Sequence, residues 1–171
     1  LLPISSNDGI DFATWSFTAD TLSSNPYAKP TAMDVGPDSR LYASDVTGVI
    51  HAYTLDMDTN TVSSEHQITT RANRLMLGLT VDPESTADQV ILWVSHSDID
   101  QFDGEANSGT VTKIVLDSSE DDIAVLSAED VITGLPRAIA NHATNNIDFG
   151  PDGRLYIAQG GNTGAGAANT G

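Results

Sequence analysis

The sequence predicts an all-β chain, a β-propeller fragment of about two four-stranded blades plus the start of a third, forming one partial domain over residues 1–171. Three observations lead to this. A strand–turn–strand block occurs twice in clear form and once in weaker form. The stretches after each block hold enough further strand pattern for four strands per unit. Helical periodicity is almost absent, with Ser127–Val131 suited to one turn at most.

The clear copies are Thr31-Ala-Met-Asp-Val-Gly-Pro-Asp-Ser-Arg-Leu-Tyr-Ala-Ser-Asp45 and Asn145-Asn-Ile-Asp-Phe-Gly-Pro-Asp-Gly-Arg-Leu-Tyr-Ile-Ala-Gln159. Asp34, Gly36, Pro37, Asp38, Arg40, Leu41 and Tyr42 recur as Asp148, Gly150, Pro151, Asp152, Arg154, Leu155 and Tyr156, with Pro151 standing 114 residues after Pro37. The weaker copy runs through Leu77-Gly-Leu-Thr-Val-Asp-Pro83 and Gln89-Val-Ile-Leu-Trp-Val-Ser-His96. In each, an apolar stretch forms a strand, Pro fixes φ, and Asp with Gly or Ser reverses the chain.

The remaining strands follow in order. In the first unit, about residues 30–72, Gly48–Leu55 makes a third strand and Ser63–Thr69 a fourth. In the second, about 73–135, Gly109–Leu116 and Ile123–Leu126 take those places, and the third unit, about 140–171, is incomplete. Asp11–Phe17 suits an outer strand that closes the ring from the N-terminal side. A β-sandwich with a recurring hairpin is the alternative architecture. The chain begins at Leu1 without an initiator Met or signal peptide and stops in a Gly-rich stretch, so a piece of a longer protein is expected.

Composition narrows the function. With 19 Asp, 5 Glu, 5 Arg and 2 Lys, the formal charge is −17. Such a surface repels polyanions, so no nucleic-acid partner is expected. The acid excess suits a salty environment, an acidic extracellular protein or Ca²⁺ binding alike. There is no cysteine, which excludes disulfides and thiolate chemistry. No apolar run is long enough to span a bilayer.

Few residues carry a chemical argument. His51 and His66 alternate with apolar neighbours and read as surface residues, while His96 at a strand end reads as structural. No two histidines stand at metal-ligand spacing, and no metal site is assigned. Asp56-Met-Asp-Thr-Asn60 begins like a calcium loop but has Thr61 and Gln67 where glycine and glutamate belong. Glu120–Asp122 reads as a solvated turn, with Ca²⁺ binding the sharper alternative. Gly164-Ala-Gly-Ala-Ala-Asn169 lacks the third glycine of a dinucleotide loop, and no G-x-S-x-G elbow occurs. His142 differs, because it lies in a polar stretch entering the innermost strand of the third unit. Such a connection reaches towards the propeller axis, and an imidazole there is a side chain suited to taking a proton from a hydroxyl. A hydrogen-bonded structural histidine is the alternative.

These residues also resemble a family. Arg74-Leu-Met-Leu-Gly-Leu-Thr-Val-Asp-Pro83 is similar to the GLLGLAFHP segment of the soluble glucose/sorbosone dehydrogenases. Gly134-Leu-Pro136, Asn141-His142 and Phe149-Gly-Pro-Asp-Gly-Arg-Leu-Tyr156 resemble their GLP…H…FGPDGKLY block. The resemblance implies a six-bladed parent propeller that holds pyrroloquinoline quinone (PQQ) and Ca²⁺ at its axial mouth and oxidises a sugar or polyol. It implies that His142 is the base, and that Asn73, where the family's sugar oxidases carry Gln, and Arg74 lie beside the cofactor. It also places Gly161 where the family has an acid next to that histidine. Arg71, Arg74 and Arg137 are the cations near the matching loops for the cofactor's carboxylates.

The functional expectation is therefore a secreted or periplasmic PQQ-dependent dehydrogenase-like propeller. A non-catalytic carbohydrate-binding or adhesion module is the alternative, and a lactonase-like or NHL-type propeller a third.

Overall fold

A computed structural model of the protein describes residues 29–56, 58–59, 61–100, 104–137 and 142–161. The expected outer strand over 11–17, the Gly-rich stretch from Gly164 and part of the Asp56–Asn60 loop lie outside the described residues.

Among these residues the structure is all-β. The first sheet contains β1 (Pro30–Val35), β2 (Arg40–Asp45), β3 (Ile50–Asp56) and β4 (Thr61–Ile68). The second contains β5 (Arg74–Val81), β6 (Gln89–Asp98), β7 (Gly109–Asp117) and β8 (Ala124–Leu135). A hairpin of β9 (Thr144–Phe149) and β10 (Leu155–Gln159) follows. Both four-stranded sheets are antiparallel meanders in chain order. These are successive blades of a β-propeller. No helix among the described residues is long and apolar enough to cross a membrane.

The sequence explains which strands lie inside. A middle strand of a blade is covered on both faces by neighbouring blades, so it reads as a continuous apolar run rather than an alternation. In β6, Val90, Ile91, Leu92 and Val94 are all buried. The edge strand β8 is mostly exposed and carries Glu129 and Asp130, charges that blunt an unpaired edge. The core lies between the two blades, where Tyr42, Ile50 and Ile68 meet Met76, Leu92, Ile114 and Leu116.

The repeated block has a physical basis. Gly36 N–H donates to Arg40 O at 2.9 Å and Ser39 N–H to Gly36 O at 3.0 Å, which closes the turn with Ser39 at φ 64°. In the second copy Gly153 takes that left-handed place at φ 73°. The tyrosine ring lies against the first glycine: a Cβ on Gly36 would meet Tyr42 Cε2 at 2.9 Å, and one on Gly150 would meet Tyr156 Cε2 at 2.5 Å. The phenols donate to the turn aspartates, Tyr42 to Asp38 Oδ2 at 2.7 Å and Tyr156 to Asp152 Oδ2 at 3.1 Å. Gly, Asp and Tyr therefore form one structural unit. Arg40 ties it to the next blade, donating to Ser118 O at 3.2 Å and Glu120 O at 2.9 Å.

Two expectations are corrected. The single helical turn allowed for Ser127–Val131 lies within β8, where Ser127, Ala128, Glu129 and Asp130 pair with Val115, Ile114, Lys113 and Thr112. Ladder pairing overrides the local preference. His51, read as a surface residue, is buried at 4% exposure. Its Nδ1 lies 2.7 Å from Glu65 Oε1 and its Nε2 3.4 Å from Asp45 Oδ2, so two carboxylates satisfy the ring inside the blade. Burial opposes ionisation of Asp45, but hydrogen bonds from Thr47, Val49 and His51 outweigh it and hold its pKa below the ordinary value.

Candidate functional site at the entry to the inner strands

The innermost strands β1, β5 and β9 meet through residues at matching places in the three blocks. Asp34 Oδ2 accepts from Val81 N–H at 2.8 Å and from the Thr80 hydroxyl at 3.2 Å, and that hydroxyl also lies 3.4 Å from Asp148 Oδ1. Because each sheet is a meander starting on its inner strand, the connectors into β5 and β9 open at the same end. Asn73 occupies the first of these connectors and His142 the second.

His142 is held from several sides. Gly160 N–H donates to Ala143 O at 3.1 Å, and a Cβ on Gly160 would crowd His142 Cα and Cβ at 3.0 Å, so glycine lets the end of β10 lie against the histidine. The Thr144 hydroxyl, fully buried, donates to Gln159 Oε1 at 2.8 Å. Gln159 Nε2 in turn donates to Pro136 O at 2.7 Å and Gly160 O at 2.9 Å. Gln159 thus fastens the connector on both sides of the histidine, a role that nothing in its sequence context signalled.

Among the described residues the imidazole makes one hydrogen bond, Nδ1 to Gly161 O at 3.1 Å. A carbonyl oxygen only accepts, so Nδ1 carries the proton and Nε2 keeps its lone pair in the neutral ring. Gly161 is where the resemblance placed an acid. Its backbone carbonyl fixes the tautomer without a charge.

Asn73 is exposed in a left-handed conformation (φ 63°), which asparagine tolerates, and its N–H donates to Thr47 O at 2.7 Å. The Arg74 side chain runs across the second blade, where Nε donates to His96 Nδ1 at 3.1 Å and Nη2 to Ser108 O at 2.7 Å. Since His96 Nδ1 accepts, Nε2 carries the proton and donates to Thr112 Oγ1 at 2.7 Å. The Thr112 hydroxyl then donates to Asp130 Oδ1 at 2.6 Å, where Arg71 Nη2 also donates at 2.8 Å. Every proton in this chain has one direction. Burial first, and the Arg74 charge second, push the His96 pKa down to about 4, so the ring is neutral near pH 7. Burial works against the Asp130 carboxylate, yet Thr112 and Arg71 outweigh it and keep its pKa below the usual range. His96 is structural, as its strand-end position suggested, and it locks Arg74 beside Asn73. Among the described residues, no hydrogen bond links His142 to Asn73 or Arg74.

Arg137, on the connector to His142, is 4% exposed. Its Nη2 donates to Asp100 O, while Nε and Nη1 are buried with no partner among the described residues. A buried guanidinium with two open donors suits a carboxylate-bearing group. Among the described residues, no three His, Cys, Asp or Glu side chains come together as a metal site.

No curated protein matches the chain. Among solved structures, a proposed oxidoreductase (glucose dehydrogenase) from Thermus thermophilus is similar at 21% identity and a TM-score of 0.49, over 78% of this chain and 37% of that one. The chain thus spans little more than a third of that relative's length. The family model described as glucose/sorbosone dehydrogenase matches residues 27–170, nearly the whole chain. By that match, and in keeping with its four-stranded blades, this protein belongs to the glucose/sorbosone dehydrogenase family.

Proposed function

We propose that the protein acts as a sugar or polyol dehydrogenase in which His142 Nε2 takes the proton of the hydroxyl being oxidised. The observation that carries this reading is the contact of His142 Nδ1 with Gly161 O, which puts the proton on Nδ1 and the lone pair on Nε2 at the entry to an inner strand. A positioned general base of this kind contributes roughly 10²–10⁴-fold to rate.

The family resemblance implies PQQ, and the buried open donors of Arg137 fit one of its carboxylates. When bound, the quinone supplies the acceptor for the hydride. Asn73 and Arg74 are the other residues assigned to its binding, Asn73 through its carboxamide and Arg74 through positive charge beside it. The chain's own part is to orient the substrate hydroxyl, hold the tautomer of His142 and receive the proton at Nε2. For Ca²⁺ the described residues offer no donor set, and no step is drawn through it.

The test is to titrate the protein with PQQ and Ca²⁺, follow binding by absorbance, and measure aldose-dependent dye reduction. Saturable binding with sugar-dependent reduction supports the reading. Absence of both removes it in favour of a non-catalytic carbohydrate-binding module.

A further inference from the structure

The connector that carries Asn73 rests on a turn of the first blade. β2 runs antiparallel to β1, so its last residue, Asp45, lies opposite Pro30 at the end of the sheet where the connectors enter the inner strands. The turn from β2 to β3 therefore stands beside the connector from β4 into β5, which holds Asn73 and leads into Arg74.

Asp45 builds that turn. It is buried, and its Oδ1 accepts from Thr47 N–H at 2.8 Å, from the Thr47 hydroxyl at 2.7 Å and from Val49 N–H at 3.1 Å. Asp45 N–H donates to Val49 O at 2.9 Å and Gly48 N–H to Asp45 O at 3.1 Å, which closes the loop. One carboxylate oxygen thus fixes the backbone around Thr47. The Thr47 carbonyl in turn accepts from Asn73 N–H at 2.7 Å. Gly48, at φ 85°, lets the two segments touch: a Cβ there would collide with Arg71 O and meet Arg74 O at 2.9 Å. Asn73 needs such a seat. Its φ of 63° lies in the left-handed region, which a non-glycine residue keeps only where its surroundings hold it.

We propose that Asp45 is a positioning residue, holding Asn73 in its left-handed conformation through the Thr47 carbonyl and so setting the affinity for the cofactor assigned to Asn73 and Arg74. The seating of Asn73 stands on geometry alone; its effect on the cofactor rests on the dehydrogenase reading.

The test pairs amide hydrogen exchange with PQQ titration, on the full chain as wild type, Asp45→Ala and Asp45→Asn. The Asn73 amide should be protected in the wild type and exchange about tenfold faster or more in Asp45→Ala, while the buried amides of β6 and β7 keep their protection. PQQ affinity, followed by absorbance, should fall several-fold in Asp45→Ala. Asp45→Asn keeps an acceptor oxygen for the turn and should restore both. Should Asp45→Ala not fold, Thr47→Val removes only the hydroxyl bond to Asp45 and should shift both readouts the same way, by less. An unprotected Asn73 amide in the wild type, exchange that quickens equally in β6 and β7, or PQQ affinity unchanged where Asn73 is released would overturn the proposal. A wild type that binds no PQQ fails the cofactor reading and takes the affinity claim with it, whereas an unchanged affinity in a protein that binds PQQ fails the positioning role alone.

Discussion

Acidification should remove stability in two separate windows, the upper one belonging to His96. In the folded protein burial and Arg74 lower this imidazole from 6.5 to about 4. The unfolded chain takes up the proton near pH 6.5 and the folded chain resists until about pH 4. Between those values the unfolded state binds more protons, so stability falls as pH falls and the slope ends near pH 4. At about 1.4 kcal/mol per tenfold in proton affinity, the gap corresponds to about 3 kcal/mol across the window. The carboxylates Asp45 and Asp130 have folded pKa values below 3.8, so their contribution is present above that value and is lost below it. The assay is urea unfolding from about pH 7.5 to 4.5, comparing wild type with His96→Gln. The variant keeps a donor and an acceptor in the chain from Arg74 to Thr112 but cannot titrate. The difference in stability between the two proteins should shrink by about 3 kcal/mol as pH falls through the window. Equal slopes, or a His96 proton-resonance titration centred near 6.5, would refute the directed chain of hydrogen bonds.

Three further perturbations test the fold and the site. Gly36→Ala pushes a Cβ against the Tyr42 ring and the Asp38 carboxylate and should cost about 1–3 kcal/mol, read by denaturant midpoint; an effect under about 0.5 kcal/mol would show that the ring can move. Tyr42→Phe removes a buried phenol bonded to Asp38 and should cost about 1 kcal/mol, whereas Tyr156→Phe, at a residue 56% exposed, should cost under about 0.5 kcal/mol. Gly161→Asp puts a carboxylate beside His142 Nδ1, which favours the imidazolium. The acid limb of the kcat/KM profile should then move to higher pH, and an unmoved limb would show that position 161 does not reach the ring.

The fold was legible because the Gly-Pro-Asp turn and its tyrosine form one structural unit, which leaves a repeated trace in the sequence. Middle strands declared themselves by unbroken apolar runs such as Val90–Val94. Side chains that act across strands were not legible. His96 is 22 residues from Arg74 and 16 from Thr112, and only register brings them together. Thr112 and Asp130 are direct cross-strand partners, so aligning the strands of the second unit would have revealed that link. His51 was misplaced for the same reason, since Asp45 and Glu65 reach it from neighbouring strands. At Gly161 a backbone carbonyl does the orienting, and no residue type announces that.

The most direct test of the central claim is kcat/KM for sugar-dependent dye reduction by the PQQ- and Ca²⁺-loaded protein, wild type against His142→Ala. If Nε2 of His142 is the base, the variant should lose roughly 10²–10⁴-fold while still binding PQQ. A variant that retains near wild-type kcat/KM would contradict the assignment.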